Sequence, residues 1–180
     1  MTTNKIIIIV VSIVILLCIL RPLLYKIECK LLFVPTKVNS HHSYNLDYYE
    51  KKLQKEINKD IRVYEKTISI DRNNKVNTVY FHNPNTKYTI LYAHGNGGYI
   101  GNCLDVSFKF LHYASFILFD YRGYGKSVGT NKNIVEQDLY NDIWAVWKYV
   151  VYNLEVDPNS IILYGHSLGS SVVAWLGYKL

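Results

Sequence analysis

Gly165-His166-Ser167-Leu168-Gly169 constrains this chain more than any other stretch. A G-x-S-x-G run places its serine on a strained strand-to-helix turn, with the Oγ projecting above a parallel sheet where a histidine can take its proton. The pattern alone has little force: with Gly and Ser each about 7% of residues, three fixed positions match by chance about 6% of the time in a chain of this length. Its surroundings carry it. Ser160-Ile161-Ile162-Leu163-Tyr164 is a short β-rich apolar run introduced by the turn signal Asp157-Pro158-Asn159, and residues 170–176 suit a helix. Gly165 and Gly169 also have a steric reason, because the turn brings strand and helix backbones together where a Cβ would crowd them. The bland alternative is a buried Gly-Ser turn; the strand–turn–helix setting favours Ser167 as a nucleophile. The tetrahedral oxyanion it would create needs two backbone N–H donors, one from Leu168 and one from the loop after the third strand. In such a triad the acid and the histidine follow the serine in chain order, yet residues 168–180 contain neither.

The rest of the chain supplies a sheet for that turn. Residues 63–70 and 76–81 read as two strands around Asp71-Arg72-Asn73-Asn74-Lys75, a hairpin. Residues 88–93 form a third strand ending in His94-Gly95-Asn96-Gly97-Gly98, and a helix follows over about 100–112. Residues 115–119 are a fourth strand, leaving through Asp120-Tyr121-Arg122-Gly123-Tyr124-Gly125-Lys126-Ser127. Val135, Leu139, Ile143, Val146 and Val150 recur at helical spacing, with Asn133 and Glu136 as the expected capping pair and Asp138 and Asp142 on the polar, solvated side. Strand–helix–strand alternation makes this an α/β chain, with a mostly parallel sheet and helices on both faces. Ligands of such sheets bind beyond the carboxyl ends of the strands, and all three glycine-bearing loops leave from there.

The amino terminus is of another kind. Residues 6–20 are aliphatic apart from Ser12 and Cys18, and continuing through Arg21 and Pro22 to Tyr25 gives about 20 residues, enough to span a bilayer. No small-x-small cleavage site follows, which favours an uncleaved anchor over a secretory signal. The expected organisation is a transmembrane anchor over 1–25, a juxtamembrane linker over 26–61 and the α/β domain over 62–180. Arg21, Lys26, Lys30 and Lys37 follow the apolar run and only Lys5 precedes it, so the positive-inside tendency puts the domain of this single-pass protein on the cytoplasmic side. The net charge of +6 is spread through Lys51, Lys52, Lys55, Lys59, Arg62 and Lys66, which read as a solvated helix rather than a lipid-binding patch. The basic residues form no nucleic-acid motif. Cys18, Cys29 and Cys103 have no metal-ligand spacing, Cys29 reads as a buried thiol rather than an S-acylation site, and nothing calls for a metal or cofactor.

Four segments together resemble the amino-terminal part of an α/β-hydrolase-fold serine hydrolase, and in particular the membrane-anchored α/β-hydrolase domain-containing group. They are Glu28-Cys29-Lys30-Leu31-Leu32-Phe33-Val34-Pro35 after the anchor, Leu91-Tyr92-Ala93-His94-Gly95-Asn96-Gly97, the loop from Asp120 to Ser127, and Gly165-His166-Ser167-Leu168-Gly169. The resemblance implies hydrolysis of acyl esters or thioesters, with lipids or acylated proteins as substrates. It makes Asn96 the second oxyanion donor, with Gly95 allowing the backbone to approach. It also implies a fold truncated after the elbow, whose remaining strands, triad acid and histidine lie beyond residue 180 or come from a second chain. His94 is expected to support the oxyanion loop rather than act as the base, and His166 to point away from the serine. His41, His42, His82 and His112 have no motif context, and Asp120 and Arg122 are expected to order their loop. Two other readings stay open: a catalytically inactive hydrolase fold kept as a membrane-tethered binding module, and a non-functional gene fragment.

Overall fold

The structure, a computed structural model, describes residues 3–38, 44–129 and 133–180. Its elements are α1 (Thr3–Leu32), α2 (Leu46–Glu56), β1 (Arg62–Ser69), β2 (Lys75–His82), β3 (Tyr88–Ala93), α3 (Ile100–Phe110), β4 (Ala114–Phe119), α4 (Glu136–Tyr152), β5 (Ile161–Gly165) and α5 (Leu168–Lys179). The five strands make one sheet in the order β1-β2-β4-β3-β5. β1 and β2 form the expected hairpin, β2 runs antiparallel to β4, and β4, β3 and β5 are parallel. The sheet is thus mixed, with its parallel half on the side of the elbow.

Period-two alternation along the central strands feeds two cores. Ile90 and Tyr92 of β3 and Phe116 and Leu118 of β4 point to one face, where Leu53, Ile100 and Leu104 of α2 and α3 cover them. Leu91, Ala93, Ile117 and Phe119 point to the other, beneath Leu139, Ile143, Val146 and Val150 of α4 and Val172 and Leu176 of α5. Both faces being covered explains why β4 is buried at every position and apolar at all but Ser115.

Two details depart from the sequence reading. α4 starts at Glu136, and its first turn is closed by Asp138, whose carboxylate accepts the Val135 N–H at 3.0 Å; Asn133 and Glu136 do not make the cap. α1 does not stop at residue 25 but runs unbroken to Leu32, and Leu53 of α2 is fully packed in the domain. No helix-stopping residue stands between Tyr25 and Leu32, so the helix continues into the segment expected to be linker. Within α1, the stretch Ile7–Leu32 is long and apolar enough to cross a membrane, with a mean hydropathy of 3.0 over its most apolar 18 residues.

Candidate active site

Ser167 is the sharpest backbone feature of the domain. Its φ is 51° and ψ −118°, one of two non-glycine residues with positive φ among those described. Strain of this kind costs about 1–3 kcal/mol and persists only where the surroundings over-determine it. Here they do. His166 N–H donates to Ala93 O at 3.1 Å, Gly169 N–H to His166 O at 2.9 Å and Ser170 N–H to Ser167 O at 2.9 Å. A Cβ on Gly169 would overlap Ala93 O, and one on Gly165 would overlap Gly169 O, so both glycines are what let α5 turn back tightly onto β3 and β5.

The loop after β3 lies against the elbow. A Cβ built on Gly95 would meet the Cβ of Ser167 at 3.4 Å and His166 Nδ1 at 3.0 Å, which brings Gly95 and Ser167 together as neighbours. Leu168 opens α5, where a backbone N–H has no partner within its own helix. The Asn96 side chain does more than cap its own turn: it clamps two distant segments to the loop. Its Oδ1 accepts from Val34 N–H at 3.0 Å, from its neighbour Gly97 N–H at 3.1 Å and from the Tyr124 hydroxyl at 2.9 Å, while its Nδ2 donates to Leu32 O. Thr36 adds a bond from its Oγ1 to Gly97 O at 2.6 Å, and Gly125 N–H one to Thr36 O at 2.7 Å. The strap after α1 is thereby tied to both glycine-rich loops.

His94 is buried beneath this loop rather than presented at it. Its Nδ1 is 2.8 Å from Gly95 O, its ring packs on Tyr121 at 4.5 Å, and its Nε2 stands 3.9 Å from Asp120 Oδ1. Burial lowers its pKa to about 4. Asp120 is buried as well, and burial raises it to about 6 although it accepts from Ile100 N–H at 2.7 Å and Lys126 N–H at 3.1 Å. It joins the start of α3 to the β4 loop. His82 is half-buried and bonded to the Tyr80 hydroxyl at 2.8 Å, His112 is exposed on the turn after α3, and His41 and His42 lie outside the described residues. Of the described histidines only His166 lines a cavity that Ser167 also lines.

Asp138 and Asp142 are not solvated. Asp142 Oδ1 accepts from Arg122 Nη2 at 2.7 Å and Nε at 2.9 Å, and its Oδ2 from Arg122 N–H at 2.8 Å; Asp138 Oδ1 takes Arg122 Nη1 at 2.8 Å. All three are buried. Burial pushes Asp142 above its ordinary value against the pull of Arg122. Burial also opposes the Arg122 charge, but the Asp142 and Asp138 carboxylates hold its pKa raised. The i, i+4 spacing that looked like a wet helix face is a two-carboxylate receptor for one guanidinium.

Two cavities flank Ser167. One, of about 420 Å³, runs between the end of α1 and helices α4 and α5. The other, of about 340 Å³, is bounded by Tyr92, Cys103, Tyr164 and His166. Among the described residues no three His, Cys, Asp or Glu side chains gather so as to hold a metal ion.

The sheet and its helices, with the strained serine turn and the glycine loop at the carboxyl end of the parallel strands, can be compared with known structures as a fold. An esterase from Pyrococcus furiosus superposes with a TM-score of 0.58 at 20% identity, over 79% of this chain and 51% of that one. The fold is that of the α/β-hydrolases. By sequence the chain is 39% identical over 105 residues to an uncharacterised protein of Acanthamoeba polyphaga mimivirus, covering 58% of this chain and 36% of that protein. It is 35% identical over 89 residues to human alpha/beta hydrolase domain-containing protein 17C, covering 48% of this chain and 26% of that one. The match thus spans 36% of the first of these relatives and 26% of the second, and no protein-family model matches the chain.

Proposed function

We propose that this chain is the membrane-anchored, nucleophile-bearing part of a serine hydrolase that cleaves acyl esters or thioesters. The observation that carries this reading is the positive-φ Ser167 between two cavities, with the Gly95 backbone against it. Ser167 Oγ attacks the carbonyl carbon, the Leu168 and Asn96 N–H groups receive the oxyanion, and the alcohol or thiol leaves; each such donor is worth about 3 kcal/mol in the transition state. Serine needs a base within hydrogen-bond reach. His94 is buried and bonded to its own loop, and neighbours of an elbow serine point away from its Oγ, as His166 is expected to do. None of the described histidines is placed as that base, so in this reading it is supplied by further polypeptide that extends the sheet beyond β5 or by a second chain.

The same shortage of a base among the described residues favours, as a second reading, a hydrolase fold kept for binding. Turnover decides between them. Membranes carrying the protein together with the histidine-bearing polypeptide are expected to hydrolyse p-nitrophenyl esters or palmitoyl thioesters, with a loss of about 10³-fold or more in Ser167→Ala. Equal rates for the two leave the binding reading. α1 is the anchor in this account, with the domain cytoplasmic on the strength of the basic residues that follow the apolar run. Release of the protein by alkaline carbonate contradicts the anchor, and protection of the domain in intact microsomes contradicts the orientation.

A further inference from the structure

We propose that Tyr124 and Thr36 are positioning residues for the oxyanion donor, and that the strap leading out of α1 is thereby a working part of the site and not a tether alone. The catalytic meaning of this hold rests on the hydrolase reading above; the hold itself does not. Gly95-Asn96-Gly97-Gly98 has three glycines in four residues. Such a run has little conformational preference of its own, so its shape depends on what it is bonded to. Packing supplies little, because Asn96 and Gly97 are exposed and a Cβ on Gly97 would meet only Thr36 Oγ1, at 4.0 Å. Hydrogen bonds from two sides therefore set the direction of the Asn96 backbone N–H.

From inside the domain, Tyr124 is fully buried and its hydroxyl donates to Asn96 Oδ1 at 2.9 Å. Burial raises its pKa to about 12, so it remains a neutral donor near pH 7. From the strap, Val34 N–H donates to the same oxygen at 3.0 Å, and Leu32 O accepts from Asn96 Nδ2. Thr36 Oγ1 donates to Gly97 O at 2.6 Å, which holds the peptide after Gly97. The strap is itself seated. Gly125 N–H donates to Thr36 O at 2.7 Å, Val38 N–H to Gly125 O at 3.3 Å and Lys37 Nζ to Ser127 O at 3.1 Å, while Phe33 packs against the core under α4 and α5. Neither Tyr124 nor Thr36 lines a cavity beside Ser167, so each acts through Asn96 or Gly97 and not on substrate. A misplacement of about 1 Å at such a donor costs about 10²-fold in rate, which gives two hydroxyls outside the pocket their leverage.

The test uses the full chain in phosphatidylcholine vesicles, first alone and then with the histidine-bearing polypeptide. Alone, Tyr124→Phe and Thr36→Val are each expected to speed amide hydrogen exchange of residues 95–98 by at least about five-fold, while the β1–β2 hairpin keeps its protection. With the polypeptide and p-nitrophenyl esters, each is expected to lower kcat by at least about ten-fold and to leave KM within about two-fold of the parent. Thr36→Ser keeps the hydroxyl and is expected to restore kcat to within about two-fold. Unchanged protection of residues 95–98, a loss that falls on KM, or a Thr36→Ser as slow as Thr36→Val overturns the proposal. Acceleration that spreads to the β1–β2 hairpin overturns it too, since the hydroxyls would then hold the domain and not the loop. Turnover in the parent with undiminished kcat in both variants sinks the positioning role and leaves the hydrolase reading intact. A parent that never turns over, with exchange responding as expected, sinks the hydrolase reading and leaves the hold of the strap standing.

Discussion

β4 and β5 deliver loops to the same end of the sheet from unlike positions. β4 lies between β2 and β3, all six of its residues are buried, and its loop is locked by the Arg122 cluster and by Asp120. β5 is paired only to β3 among the described strands, and Ile162 and Tyr164 on its uncovered face remain 44% and 38% exposed. The half of the site that holds loops in place is closed, while the strand that carries Ser167 presents an open edge of a parallel sheet, an arrangement that natural proteins normally cover. The locked loop and the proposed nucleophile therefore stand on separable parts of the sheet, and substitutions on the two sides are expected to sort accordingly.

The largest effect belongs to the closed side. Arg122→Ala leaves Asp138 and Asp142 buried without their partner and is expected to cost about 3–5 kcal/mol in denaturant unfolding of the detergent-solubilised protein. A loss below about 1 kcal/mol would mean that water reaches the cluster and that the β4 side is no firmer than the β5 side. Next comes a paired comparison across the parallel strands. Ile117→Ala on β4 is expected to cost about 2–5 kcal/mol and Ile162→Ala on β5 less than about 1 kcal/mol. Comparable losses would erase the distinction between the strands.

The pH dependence sharpens the same contrast through Asp120. Its folded pKa of about 6 lies above the ordinary value of 3.8, so the folded state holds a proton that the unfolded chain has lost. Its contribution is fully present below pH 3.8 and is lost as pH rises to about 6. His94 has the opposite sign: with a folded value of about 4 against 6.5, its contribution grows as pH rises between those limits. The stability difference between the parent and Asp120→Asn is expected to shrink as pH rises from about 4 to about 6 and to stay level above. A difference that grows across that window would show Asp120 to be held ionised. The smallest effect is at the elbow. Glycine tolerates φ 51°, so Ser167→Gly is expected to be about 1 kcal/mol more stable than Ser167→Ala. Equal stabilities would mean that the turn stores no strain.

What the sequence disclosed followed from period and local chemistry. The β1–β2 hairpin, the limits of β3 and the apolar stripe of α4 were legible because alternation and 3.6-residue spacing are written in neighbouring residues. The Gly165 and Gly169 crowding was legible for the same reason. Asp138 and Asp142 were misread because their partner, Arg122, is separated from them by a loop, and a carboxylate pair on one helix face looks the same whether water or a guanidinium sits opposite. The docking of α1 was hidden differently. The apolar run ends before these turns, and with only two of them the stripe Tyr25, Cys29 and Leu32 among Lys26, Glu28 and Lys30 is too short for its spacing to mark which side meets the domain. The clamping role of Asn96 depends on backbone groups more than sixty positions away.

The central proposal is that Ser167 is a nucleophile that stays unactivated until further polypeptide or a second chain brings its base. Reaction with a fluorophosphonate probe tests this directly. Residues 1–180 alone are expected to label no faster than Ser167→Ala, and addition of the polypeptide that supplies the histidine is expected to bring labelling to Ser167. Labelling of residues 1–180 alone that vanishes in Ser167→Ala would contradict the account and place the base among the residues already present.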